Sequence, residues 1–277
     1  MTGAIMNSNC EGLVMSKISK INSYKFSISM NIGRITFNAL LWFIAALNLS
    51  FVNPLRKDKC NVQIVFENFV GDEVLQFDSV NYMNSLHQSF IVTKFKYYIS
   101  NIRLKNMNGQ QYISDQFFLV NEDEKKSGEL MLEDIPAGQY EELSFTLGVD
   151  SLRNCSGLQS GALDPVNGMF WAWNTGYVFL KIEGRAPQSS MPGNIFEFHI
   201  GGFRQPNNCL KEISLPLNDW QITPAKTNSI RIKTDASEIF KTPIAADFSK
   251  LSSVTDFRNA KMIADNYADM FSILSVE

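Results

Sequence analysis

The chain carries only two histidines, His87 and His199, and four tryptophans. Two of the tryptophans lie in residues 161–184, G-A-L-D-P-V-N-G-M-F-W-A-W-N-T-G-Y-V-F-L-K-I-E-G. Trp171 and Trp173 are two positions apart, so in a strand they share one face. Such a pair can be a piece of core, a stacking platform for a sugar ring, or part of a metal site. His199 stands in residues 196–203, F-E-F-H-I-G-G-F, where Phe196, Phe198 and Ile200 alternate with Glu197 and His199. The alternation turns His199 away from the aromatic face, just before a Gly201-Gly202 pair that lets another part of the chain come close. Neutral imidazole is a common metal ligand. His87, in M-N-S-L-H-Q, precedes a strand and reads as a loop histidine. A site built on two histidines must nevertheless use His87 and His199, since there are no others. Met169, Met83 and Met191 carry soft thioethers that can serve as metal donors, although methionine more often fills gaps in a core.

The elements that must position these residues are mostly strands. Val62, Ile64 and Phe66 alternate with polar residues, as in a strand with one buried face. In residues 90–105, Phe95, Tyr97 and Ile99 point one way, and Ile102 and Leu104 resume one step out of phase. That predicts a bulge at Ser100-Asn101. Leu143, Phe145 and Leu147 alternate cleanly, and residues 177–182, 195–200, 213–217 and 229–233 add further strands separated by Gly, Pro and Asn turns. This pattern predicts a mainly β fold, an antiparallel β-sandwich. From Asp256 the apolar residues Phe257, Ala260, Ile263, Ala264, Tyr267, Met270, Phe271 and Leu274 follow helical spacing. They predict a C-terminal amphipathic helix capped by Asp256 and packed on the sandwich, with a shorter helix expected over 235–240.

At 277 residues and 45% hydrophobic, the chain is long enough for a sizeable core. A net charge of −3 with no basic patch argues against a nucleic-acid partner. Residues 1–53 read as a leader. The apolar run 35–52 follows Arg34 and precedes Asn53-Pro54, the pattern of a signal peptide. Its shortness and its Asn38 and Asn48 argue against a membrane span, which needs about 20 apolar residues. The mature chain, 54–277, is therefore expected to be exported, to carry no stable membrane span, and to fold in an oxidising compartment. There Cys155 and Cys209, both in loop-like sequence, are expected to form a disulfide, with Cys60 left over and Cys10 lost with the leader. No phosphate loop, nucleophile elbow or zinc-finger spacing occurs, and no acid–base set is apparent, so no enzymatic activity is expected.

The run L-S-F-T-L-G-V-D at 143–150, the Trp171/Trp173 segment and the His199 segment resemble, in order and spacing, the MbnP-like family of methanobactin-associated periplasmic copper-binding proteins. The likeness extends from about residue 61 to the C-terminus. It implies a copper-binding role in the periplasm or at the cell surface, sequestering or delivering the metal, in a site that includes a tryptophan oxidised to kynurenine. It implies His199 as a ligand, Trp171 or Trp173 as the oxidised ring, and a dihaem peroxidase-like partner as the oxidant. A carbohydrate-binding module built on the two tryptophans, or a structural surface protein in which both are core, are the competing readings.

Overall fold

The structure is a computed structural model and describes residues 58–171 and 176–277. The expected leader lies outside the described residues. Strand β1 (Lys59–Val70) buries every second residue, from Cys60 through Val62, Ile64 and Phe66 to Val70. Short β2 (Glu73–Val74) and β3 (Tyr82–Met83) lead to β4 (Ser89–Asn106), the longest strand described. Then follow β5 (Gln111–Ile113), β6 (Phe118–Asn121), β7 (Glu129–Pro136) and β8 (Gly138–Leu147). A short helix α1 (Ser151–Cys155) precedes β9 (Phe170–Trp171), β10 (Gly176–Arg185) and β11 (Ile195–Gly201). The chain continues through β12 (Lys211–Ile222), β13 (Asn228–Asp235), β14 (Ser253–Val254), helix α2 (Phe257–Asn266) and β15 (Phe271–Val276).

These strands form two sheets. One runs β15-β13-β1, with β2 and β7 also paired to β1. The other runs β12-β8-β4-β10-β11-β14, with β3, β5 and β6 on β4 and β9 on β10. Most pairings are antiparallel, as expected. β1–β13 and β11–β14 are parallel, so the sheets are mixed rather than purely antiparallel. Aromatic rings from both sheets fill the space between them. Phe66 of β1 meets Tyr97 of β4, Phe145 of β8 and Phe271 of β15 edge-on, with ring centroids 5.5 to 6.2 Å apart. Full burial of each such side chain contributes about 1.5–3 kcal/mol. The bulge expected in β4 is present: pairing with β8 shifts between Ser100 and Arg103, and Asn101 has φ 51.

The C-terminus corrects one expectation. Asp256 caps α2 as anticipated, accepting from the backbone N–H of Arg258 and of Asn259. The helix ends at Asn266, however, and Phe271–Val276 is strand β15, paired antiparallel with β13. A short apolar run suits either period, and here the open edge of β13 supplies the backbone partners. The expected shorter helix is a 3-10 turn, Ala236–Phe240, capped by Asp235.

The Cys155–Cys209 disulfide is a second correction. No disulfide joins Cys60, Cys155 and Cys209 in any pairing. Cys155 is exposed at the end of α1, whereas Cys209 is fully buried and its thiol donates to the Asn207 carbonyl at 3.6 Å. Burial pushes the Cys209 thiol up to about 12. Among the described residues no helix is long and apolar enough to cross a membrane.

Candidate functional site

β10 and β11 pair with Lys181 opposite His199 and Glu183 opposite Glu197, and β10 pairs with β4 so that Lys96 faces Lys181 and Lys94 faces Glu183. Cross-strand partners share a face. Because Phe196, Phe198 and Ile200 point into the core, His199, Glu183, Lys181, Lys94 and Lys96 stand together on the opposite face. The sequence expectation that His199 turns away from the aromatic side therefore holds.

His199 Nε2 lies 2.8 Å from Glu183 Oε1, and Lys94 Nζ donates to Glu183 Oε2 at 3.0 Å. The hydrogen bond from His199, reinforced by Lys94, draws the Glu183 carboxyl down to about 2 against the opposing effect of burial. An ionised Glu183 can only accept, so Nε2 carries the proton in this pair. In the neutral ring, Nδ1 then keeps its lone pair. This is the arrangement in which a carboxylate orients an imidazole and raises its basicity as a ligand.

Trp171 approaches the same face. Gly201 follows His199 by two residues and so faces the same way. A Cβ placed on Gly201 would lie 2.9 Å from Cζ3 and 3.1 Å from Cη2 of Trp171, and 2.5 Å from the Tyr177 carbonyl oxygen. Only glycine leaves room for the indole there. Residues 199 and 201 are about 6.8 Å apart along the strand, so the tip of the buried Trp171 ring covers the position next to His199 on this face. The β9–β10 hairpin holds the ring in place: Trp171 pairs with Gly176, Phe170 with Tyr177, and the Val178 N–H donates to the Met169 carbonyl.

Local sequence explains the approach to β9. Asp164 accepts from the Val166 N–H at the head of a 3-10 turn, Pro165–Asn167, and Gly168 ends it at φ 70. This is the double turn read from Asp164-Pro165 and Asn167-Gly168. Lys181 Nζ donates to the Gly168 carbonyl at 2.6 Å. Burial, with help from Lys94 and Lys96, draws the Lys181 ammonium below its ordinary value.

Met169 is fully buried and Met83 is exposed. His87 is exposed at the β3–β4 turn with φ 57. Ser89 and Lys96 are seven residue steps apart in β4, about 23 Å at the rise of a strand, and His199 lies level with Lys96 two strands away. One ion cannot take both histidines. Trp173 lies outside the described residues. Among the described residues, no three His, Cys, Asp or Glu side chains come together to hold a metal.

Sequence reasoning missed Glu183, Lys94 and Lys181. The alternation in K-I-E and E-F-H carried the signal, but the connection over 186–194 left the β10–β11 register open, and the Glu183–His199 contact depends on that register.

The MbnP family model matches residues 59–257, well over half of the chain. Among solved structures the chain is similar to MbnP from Methylosinus trichosporium, with 14% identity, a TM-score of 0.47, and 69% of this chain and 80% of that chain covered. No curated protein matches it in sequence. The three motifs that carry the site, around Leu143, Trp171 and His199, all fall inside the matched span, and the chain belongs to the MbnP family.

Proposed function

We propose that this protein is an exported, non-enzymatic copper-binding protein that sequesters or delivers the metal through His199 and an oxidised tryptophan. Membership of the MbnP family supports a methanobactin-associated, copper-related role. The observation that carries the finer reading is that Trp171 packs over Gly201, two residues along β11 from His199, which Glu183 orients. The residues fit copper chemically. Nδ1 of His199 is a borderline-soft donor of the kind copper prefers. An intact indole is only an N–H donor. Oxidative cleavage of its C2–C3 bond, with two oxygen atoms supplied by an external oxidant, gives the N-formyl ketone; hydrolysis of the formyl group by water releases formate and leaves kynurenine, with an aniline nitrogen and a ketone. The oxidised ring is Trp171 or Trp173, and the oxidant is a dihaem peroxidase-like partner.

The apolar run 35–52 behind Arg34 supports export to the periplasm or cell surface. The competing carbohydrate platform is disfavoured because Trp171 is only 7% exposed and presents no open face to a sugar.

The test is metal analysis with peptide mass spectrometry on protein from its native host. We expect close to one equivalent of copper and an oxidised Trp171 or Trp173 peptide. Added copper should raise the melting temperature by mass action, and His199→Ala should abolish the rise while His87→Ala preserves it. Unmodified tryptophans and a melting temperature indifferent to copper would overturn the proposal.

A further inference from the structure

We infer that Lys181 is the positioning residue that fixes Trp171 beside His199; its functional meaning rests on the copper reading above, its geometry does not. The segment that delivers Trp171, residues 156–169, contains only two short 3-10 turns and no strand. Three side-chain donors from the large sheet hold its carbonyls. Tyr98 Oη donates to Ala162 O at 2.9 Å, Tyr177 Oη to Leu163 O at 2.8 Å, and Lys181 Nζ to Gly168 O at 2.6 Å. Burial pushes both phenols above their ordinary range, so they remain donors.

Lys181 differs from the two tyrosines in three ways. Its bond falls on Gly168, the αL residue at which the chain turns into Met169, Phe170 and Trp171. It is charge-assisted, hence among the stronger kinds of hydrogen bond. It also comes from the register partner of His199, so tether and imidazole stand on one pair of strands. The position is costly for a lysine. Lys96 lies directly opposite, and like charges in that relation destabilise a sheet. Of the two nearby carboxylates, Glu183 is engaged by His199 and Lys94, and Glu197 accepts from Ser253. The ammonium therefore directs its charge to a backbone carbonyl. From Gly168 the path runs through the Met169–Val178 hydrogen bond and the Trp171–Gly176 pairing to the indole over Gly201, and so returns to His199.

The experiment compares the full chain with Lys181→Met, which keeps the apolar stem and removes the ammonium, and with Lys181→Arg, which restores a charged donor. Hydrogen exchange is followed in the 161–171 and 195–201 peptides, and copper affinity by competition with a chromophoric chelator. In Lys181→Met we expect exchange over 161–171 to quicken about tenfold and copper affinity to fall about tenfold, the factor one charge-assisted hydrogen bond carries. The 195–201 peptide should keep its protection, and Lys181→Arg should recover most of both losses. Should the methionine variant fail to fold, Lys181→Gln, a donor without charge, takes its place with the same expected direction. Unchanged exchange over 161–171 overturns the inference, as does an affinity within twofold of the parent. If the parent chain binds no copper, the proposed function falls and exchange alone decides: quickening confined to 161–171 retains Lys181 as the positioner of Trp171, and unchanged exchange refutes it.

Discussion

His199 commits its Nε2–H to Glu183, and that commitment leaves Nδ1 as the nitrogen with a lone pair to offer. The neighbouring residue that matters most has no side chain. At Gly201 a Cβ would strike both the Tyr177 carbonyl and the Trp171 ring, and the backbone side of that clash cannot rotate away. Gly201→Ala is therefore expected to cost about 1–3 kcal/mol, the range for an overpacked site, and to weaken copper binding by displacing the indole. Urea denaturation checks the first effect and a copper titration the second. A variant as stable as the parent would mean that the Trp171 ring yields freely. The Gly201-Gly202 pair was legible in the sequence as a place of close approach. What approaches was not, because Trp171 lies thirty positions earlier and reaches Gly201 only through the β9–β10 hairpin.

Among the elements, the turns before and after the main run of β4 are built alike. In residues 84–88, Asn84 Oδ1 accepts from the N–H groups of Leu86 and Gln88, and Asn84 Nδ2 donates to Gln88 Oε1. In residues 106–110, Asn106 does the same with Asn108 and Gln110. The fourth residue of each turn is left-handed: Gly109 at φ 75 and His87 at φ 57. A side chain in that region costs about 1–2 kcal/mol, partly offset by the entropy a glycine loses on folding. His87→Gly is thus expected to raise stability by about 0.5 kcal/mol, seen as a higher urea midpoint at unchanged slope. A lower midpoint would mean that the imidazole makes contacts worth more than the strain. The same element-scale reasoning accounts for α2 and β15. Asp256 announced where the helix starts, because a cap is a local contact. Its end at Asn266 is not local: Asn266 is buried and its amide donates to the carbonyls of Ile239 and Ile244, residues the helical pattern does not contain.

Across the whole molecule, the two sheets are joined by polar groups as well as by rings. Fully buried Tyr97 of β4 donates to Asn68 Oδ1 of β1 at 3.0 Å and lies 3.0 Å from Thr234 Oγ1 of β13. Asn68 in turn donates to buried Glu122 at 2.8 Å, and Glu122 pairs with Lys125. A buried group left without its partner costs about 1–3 kcal/mol, so Tyr97→Phe should lose that much in urea denaturation although the ring still packs. A loss below about 0.5 kcal/mol would mean that Asn68 and Thr234 satisfy each other once the hydroxyl is gone, as replacement of a partner can allow.

The sequence by itself determined the strands, the β4 bulge, the α2 cap and the outward direction of His199. Each follows from period-two or period-3.6 spacing and from turn chemistry within a few residues of chain. The likeness of three separated motifs to the MbnP family was equally legible there. Tertiary structure alone decided the parallel pairing of β1 with β13, the strand at the C-terminus, the absence of a Cys155–Cys209 disulfide, the distance between His87 and His199, and the partnership of Glu183 and Lys181 with the site. All of these depend on which strand lies beside which and in what register. Register is set by the summed packing of whole faces, and no local spacing records it.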